Sequence, residues 1–194
     1  MNAKAAKKTL RKSLREARNM LPEGDREAAA VTALGFLKAS PILQNCQMIG
    51  SYLAHESEFD PVAITDWATA QGLCVVYPRV VGDTLKFCQW KHTDPTETTI
   101  GGVHQPTASA AAVSTDDIDL FLTPLLACGH NGQRLGYGGG FYDRLFSTAR
   151  GFRLGLGFAL QYREDWPTEA HDRPLQGFLS EEGLVLFSEQ PTSR

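Results

Sequence analysis

The chain lacks any long hydrophobic run. No uninterrupted apolar stretch reaches the roughly 18 residues that a membrane-spanning helix needs, and the N-terminus has no apolar centre of the kind a secretion signal carries. A cytoplasmic location with no membrane partner is the expectation. Charge of one sign is also lacking. A formal net charge of −3 over 194 residues gives no positive field for nucleic acid, so any anion must be gripped by a local group of residues. Cysteine is sparse and scattered, with Cys46, Cys74, Cys88 and Cys128 forming no C-x-x-C pair; this argues against structural zinc and a disulfide framework. Two nucleotide signatures are missing as well. There is no G-x-x-x-x-G-K-[ST], and G-x-G-x-x-G fails because Phe141 stands where its last glycine belongs. Without a G-x-S-x-G elbow, covalent acyl chemistry is disfavoured.

What is present suffices for one self-supporting domain spanning residues 1–194: 42% of the residues are hydrophobic, and a chain of this length buries roughly 70% of its unfolded surface. Ala6, Leu10, Leu14, Ala17 and Leu21 share one helical stripe, so the spacing predicts a helix over residues 3–21 that packs on the domain, with Lys4, Lys7, Arg11, Arg15 and Arg18 on a different side. A second helix is predicted from Asp25 to Lys38. Strands are predicted over Gln47–Ala54, Leu73–Tyr77 (ending at Pro78-Arg79), Leu85–Trp90, Asp119–Ala127 and Arg153–Phe158, with a final apolar run from Gly183 to Phe187. Further helices should start at Asp60-Pro61 and span Phe141–Ala149, while Asp94–Asp117 reads as a loop. Alternating strands and helices predict an α/β fold, a single three-layer domain whose mainly parallel central sheet is flanked by helices. A monomer is the expected state.

The run Arg134-Leu135-Gly136-Tyr137-Gly138-Gly139-Gly140-Phe141-Tyr142-Asp143-Arg144 carries four glycines in five positions. Such a run is a loop, because glycine there costs backbone entropy and packs nothing. Between a strand and a helix it can turn several backbone N–H groups onto an anion; a plain tight turn is the bland alternative. Arg134 and Arg144 bracket the loop with cations suited to phosphate, and Asp143 offers a hard oxygen for Mg²⁺, or else a helix cap. Lys7 and Arg11 could reach a polyphosphate or simply face solvent. The basic helix also has the look of a mitochondrial presequence, which Glu16 and the run into a second helix argue against. His55, Glu56, Glu58 and Asp60 follow a strand end, where α/β proteins put ligand-binding groups; a solvated acidic loop is equally open. Near the tail, Glu169, His171 and Asp172 follow Trp166-Pro167 and read as a turn as readily as a site.

Taken together, AKKTLRKSLREAR, SYLAHESEFDP, LTPLLA, the specific GQRLGYGGGFYDR, GFALQ and PTEAHDRPL make the chain resemble the 5-formyltetrahydrofolate cyclo-ligase family over nearly its whole length. The resemblance implies an α/β enzyme that uses MgATP to convert 5-formyltetrahydrofolate to 5,10-methenyltetrahydrofolate, ADP and phosphate through a phosphorylated formyl group. It implies Lys7, Arg11 and Arg134 through Tyr142 as ATP contacts, and Leu53, Glu58, Phe141 and Tyr142 as folate contacts. Asp143 and Asp172 would be magnesium-associated acids, and Arg134, Tyr142 and Asp143 the residues at the reacting atoms. The chain departs from the family pattern at Cys128 and Gly129, where an aromatic and an acid are common, at Phe141, where tyrosine is commoner, and in the tail segment LQGFLS. A phosphate-binding module without ligase activity, or a relative that binds folate without turnover, are the competing readings.

Overall fold

A computed structural model describes residues 3–99, 101–164, 166 and 172–187. The helices are α1 (Ala3–Asn19), α2 (Glu23–Lys38), α3 (Val62–Ala70) and α4 (Phe141–Leu145). The strands are β1 (Met48–Gly50), β2 (Cys74–Val81), β3 (Thr84–Gln89), β4 (Thr96–Thr98), β5 (His104–Pro106), β6 (Ala112–Val113), β7 (Leu120–Pro124), β8 (Ala127–Gly129), β9 (Arg134–Leu135), β10 (Phe152–Leu156), β11 (Tyr162–Arg163), β12 (Gly177–Ser180) and β13 (Gly183–Leu186). The main sheet runs β13-β12-β10-β7-β1-β2-β3-β6. Its centre, from β12 to β2, is parallel, and both flanks are antiparallel. The fold is thus a single α/β domain with a mainly parallel sheet between helices, as the sequence pattern predicts.

Period-two alternation along β7 divides the core. Leu120 and Leu122 point to the face covered by α2 and α3, where Ala29, Ala30, Ala33 and Leu37 of α2 lie flat on Ile49, Leu154 and Leu156. Phe121 points to the other face, where it packs with Phe87, Phe146 and Ala149. Small alanines let α2 approach the sheet closely, and aromatic rings fill the opposite side. Gly50 leaves room for those rings: a Cβ there would meet Phe87 at 2.9 Å and Phe121 at 3.0 Å. At the other end of β1, Asp119 Oδ2 accepts the backbone N–H groups of Gln47 (2.8 Å) and Met48 (2.9 Å), pinning β1 to β7. Asp119→Ala should therefore lower stability by about 1–2 kcal/mol, read as a shift in the urea midpoint with unchanged slope.

Several elements differ from the sequence expectation. β1 stops at Gly50, not Ala54, and β2 runs through Pro78 and Arg79 instead of ending there. Ser51 N–H donates to Val76 O, and Val80 N–H donates to Gln105 Oε1. By the two-residue period, Pro78 faces that same side, which β1 has already vacated, so its missing N–H breaks no ladder. The 94–117 segment is not a plain loop: β4 and β5 form a hairpin, and β6 adds an edge to the main sheet. The hairpin is tied to β2 by Arg79, which pairs with Glu97 and donates to Pro106 O (2.9 Å). β7 ends at Pro124, and the chain bends through Leu125 and Leu126 into β8. α4 closes at Leu145 rather than Ala149, and α1 at Asn19 rather than Leu21. The short buried strand β12 had no counterpart in the sequence reading.

Connectivity sets the position of the site. β1 leads through α3 to β2 on one side, whereas β7 leads through α4 to β10 on the other. The order reverses between β1 and β7, and in open α/β sheets the crevice beyond the carboxyl ends at such a point is where ligands bind.

Candidate active site

A cleft of about 1070 Å³ opens at that reversal. Its walls include Lys7 and Arg11 of α1, Leu53 and Glu58 from the segment after β1, the run from Arg134 to Asp143, and Asp172. The contacts implied by the resemblance, together with His55 and Glu56, therefore reach the same cavity, whereas Asp60 does not line it and instead accepts the N–H of Val62 at the start of α3. Glu169 and His171, with Pro167, lie outside the described residues.

The glycine run forms the floor. Gly138 (φ 104°) and Gly140 (φ 69°) take left-handed backbone that a side chain resists. Among the described residues, no backbone N–H from 136 to 140 donates to another backbone group, which leaves amides for a ligand. A Cβ on Gly136 would meet Arg134 Nη1 at 2.5 Å, so the guanidinium lies directly under the loop. The helix that follows has only five residues, and its dipole adds little; loop amides and cations must carry the anion.

Two of those cations are held in place by acids and one by a loop carbonyl. Arg134 Nη2 donates to Asp143 Oδ2 at 3.1 Å, and its guanidinium sits over the Tyr142 ring at 5.3 Å. Lys7 Nζ donates to Asp172 Oδ2 at 2.7 Å. Arg11 Nε donates to Gly136 O at 2.8 Å. The basic side of α1 is turned inward, since Lys7, Leu14 and Arg18 are its buried residues; the solvated-face alternative does not hold for these positions. Nor is Asp143 a helix cap: Gly140 occupies the cap position with no side-chain bond, and the Asp143 carboxylate faces Arg134. Arg144 departs from its expected place. It lies outside the cleft lining, donating to Asp83 O (2.6 Å) and Gly139 O (2.8 Å) as an outer clamp on the loop.

The opposite wall is acidic and aromatic. Glu58 Oε2 accepts the N–H of His55 at 3.0 Å, closing the turn after β1 and fixing the carboxylate toward the cleft. Around it stand Tyr52, Tyr137 and Tyr142. Burial raises the pKa of all three phenols, and the Glu58 carboxylate raises each further. Arg18 opposes that shift at Tyr137, and Arg134 opposes it at Tyr142. The phenols therefore remain protonated donors at neutral pH. Tyr142 Oη and Arg134 Nε are both buried and unpartnered among the described residues. An unmade hydrogen bond on a buried polar group is costly, and both atoms belong to residues that line the cleft.

The sequence reading missed three contributors. Tyr52 sits beside Leu53 in the segment just after β1, and its hydroxyl is spent on Phe59 O (2.5 Å). Arg15 stacks its guanidinium 5.4 Å from the Tyr137 ring. The β4–β5 hairpin supplies His104 and Gln105 to the rim. Only Arg15 carried a signal, its place in the basic set of α1.

These features define an α/β protein with a composite cleft at the carboxyl edge of its sheet, where the cationic glycine run also supplies Tyr137 and Tyr142, and the segment after β1 supplies Glu58 and Tyr52. The chain belongs to the 5-formyltetrahydrofolate cyclo-ligase family, whose model matches residues 3–181. It is similar to 5-formyltetrahydrofolate cyclo-ligases of Haemophilus influenzae (30% identical over 134 residues, 66% of this chain and 72% of the relative) and Escherichia coli K12 (27% over 166 residues, 81% and 90%). The enzyme of that name from Mycolicibacterium smegmatis is 27% identical across 94% of this chain and 97% of its own. The solution structure of Aquifex aeolicus 5,10-methenyltetrahydrofolate synthetase shares the fold, with a TM-score of 0.82 over 97% of this chain and 96% of that one at 23% identity. No described helix is long and apolar enough to cross a membrane.

Proposed function

We propose that the chain is an ATP-dependent cyclo-ligase that converts 5-formyltetrahydrofolate to 5,10-methenyltetrahydrofolate, releasing ADP and phosphate. The observation that carries this reading is the meeting of the glycine loop, with its Arg134–Asp143 pair, and Glu58 in one cleft. Lys7, Arg11 and the loop from Arg134 to Tyr142 bind the triphosphate. Leu53 and Glu58 hold the pterin, an N–H-rich ring suited to a fixed carboxylate. Phe141 and Tyr142 border both ligands.

In the reaction proposed, the formyl oxygen attacks the γ-phosphorus. The bond from that phosphorus to the β–γ bridging oxygen breaks, and ADP leaves. N10 then adds to the activated carbon and loses its proton, and the carbon–oxygen bond breaks to release phosphate. Arg134 lies where charge spreads over the transferring group, and Tyr142 remains a proton donor beside it. Positioning and charge neutralisation supply most of the rate in such transfers, which accords with a site that has no covalent nucleophile. The donor set suits Mg²⁺, which takes one or two carboxylates together with substrate phosphates; Asp143, with Asp172 nearby on the same cleft, would hold it, and the ion would neutralise the polyphosphate.

The test is direct. Purified protein with 5-formyltetrahydrofolate and MgATP should give the near-ultraviolet absorbance of the methenyl product together with ADP, each dependent on the other substrate. Tight folate binding with no product would sink the ligase reading and leave a binding protein.

A further inference from the structure

Arg18 is fully buried, yet it belongs to neither wall of the cleft. Its Nη2 donates to the hydroxyl of Tyr137 at 2.8 Å, and its Nε donates to Ser57 Oγ at 3.1 Å. Tyr137 lies inside the glycine run, and Ser57 directly precedes Glu58. One guanidinium thus bridges the loops that make the two walls. Ser57 in turn donates to Asn19 Oδ1 at the end of α1, which closes the link to the helix. No carboxylate pairs with Arg18 among the described residues, and its Nη1 is buried without a partner.

A charge held this way is expensive to bury. Methionine would fill the same space more cheaply, so the cost points to a need for the fork of donors. Lysine, a single point charge, cannot reproduce two divergent bonds. The place of Arg18 on α1 gives the bridge reach. It stands eleven residues after Lys7 on the same helix face, about 16 Å along the axis, so one rigid rod joins the Lys7 cation to the junction of the two loops.

We propose that Arg18 is a positioning residue that holds the glycine loop and the Glu58 turn in mutual register, so that the two ligands of the proposed reaction meet. It acts through Tyr137 and Ser57 and touches neither ligand. This rests on the two-ligand reading of the cleft, and the experiment separates the two claims.

Dissociation constants for MgATP and for 5-formyltetrahydrofolate are measured separately by calorimetry in wild type, Arg18→Lys, Tyr137→Phe and Ser57→Ala, with melting temperatures alongside. Arg18→Lys should weaken both ligands by about tenfold. Tyr137→Phe should weaken chiefly MgATP, and Ser57→Ala chiefly the folate. Both are single-hydroxyl removals that keep the fold testable if the arginine variant is unstable. Adding Arg18→Lys to Tyr137→Phe should weaken MgATP by less than the product of the separate effects. A lowered melting temperature with both affinities unchanged, or a loss confined to one ligand in Arg18→Lys, overturns the positioning role. If wild type binds both ligands without turnover, the ligase reading fails while the affinities still decide the role of Arg18; if it binds neither, both fall.

Discussion

Arg134→Ala is expected to lower kcat/KM on the order of 10³-fold, the range an arginine at a transferring phosphoryl group commands. The side chain is 5% exposed, so its charge acts in a poorly screened setting where each contact counts for more than at a surface. It lies under Gly136, against Asp143 and over Tyr142, and truncation would remove three constraints at once. Because it leaves Asp143 without a partner, some loss of stability should accompany the kinetic defect. Arg134→Lys separates the two effects: a retained charge restores the Asp143 pair and the melting temperature, but without the planar fork most of the rate stays lost. An alanine variant within tenfold of wild type would remove Arg134 from the reacting centre.

Asp143→Asn is the second large effect expected. Asparagine keeps an oxygen that can accept from Arg134, so the orientation of the guanidinium survives while the negative charge proposed to hold Mg²⁺ does not. The Mg²⁺ concentration for half-maximal rate should rise about 10–100-fold, with the maximal rate also reduced. A variant that turns over slowly at an unchanged Mg²⁺ requirement would make Asp143 the orienting partner of Arg134 and no metal ligand.

Much of this site could be read from the chain because its signals are local. Gly136 to Gly140 declare a loop by composition, and Glu58 follows an apolar strand within a few residues. What escaped was decided at a distance. Pro78 stops a strand only where its missing N–H would be needed, and whether it is needed depends on β1 ending at Gly50, far away in sequence. The β4–β5 hairpin is built from polar residues with no hydrophobic alternation, and the pair between Arg79 and Glu97 that ties it down spans two elements. β12 is a four-residue strand, too short to show a period; it becomes visible only through its pairing with Leu154 to Leu156. The basic stripe of α1 is the most instructive case. Lys7, Arg11 and Arg18 would have the same spacing on a helix facing water, and only the surface beneath them turns that stripe inward.

That inward turn makes the N-terminal helix a conditional part of the cleft. α1 rests on the body mainly through Leu10 and Leu14, against Ala127, Leu135 and Trp166, a small apolar contact for seventeen residues. Lys7, Arg11 and the Arg18 bridge all reside on that helix, so the cationic wall of the cleft is assembled only while α1 is docked. Docking of α1 and occupancy of the cleft are then two readings of one equilibrium: whatever ligand the cations hold also holds the helix, by the logarithm of its saturation, and any sequence change that weakens the helix contact reappears as a loss of affinity.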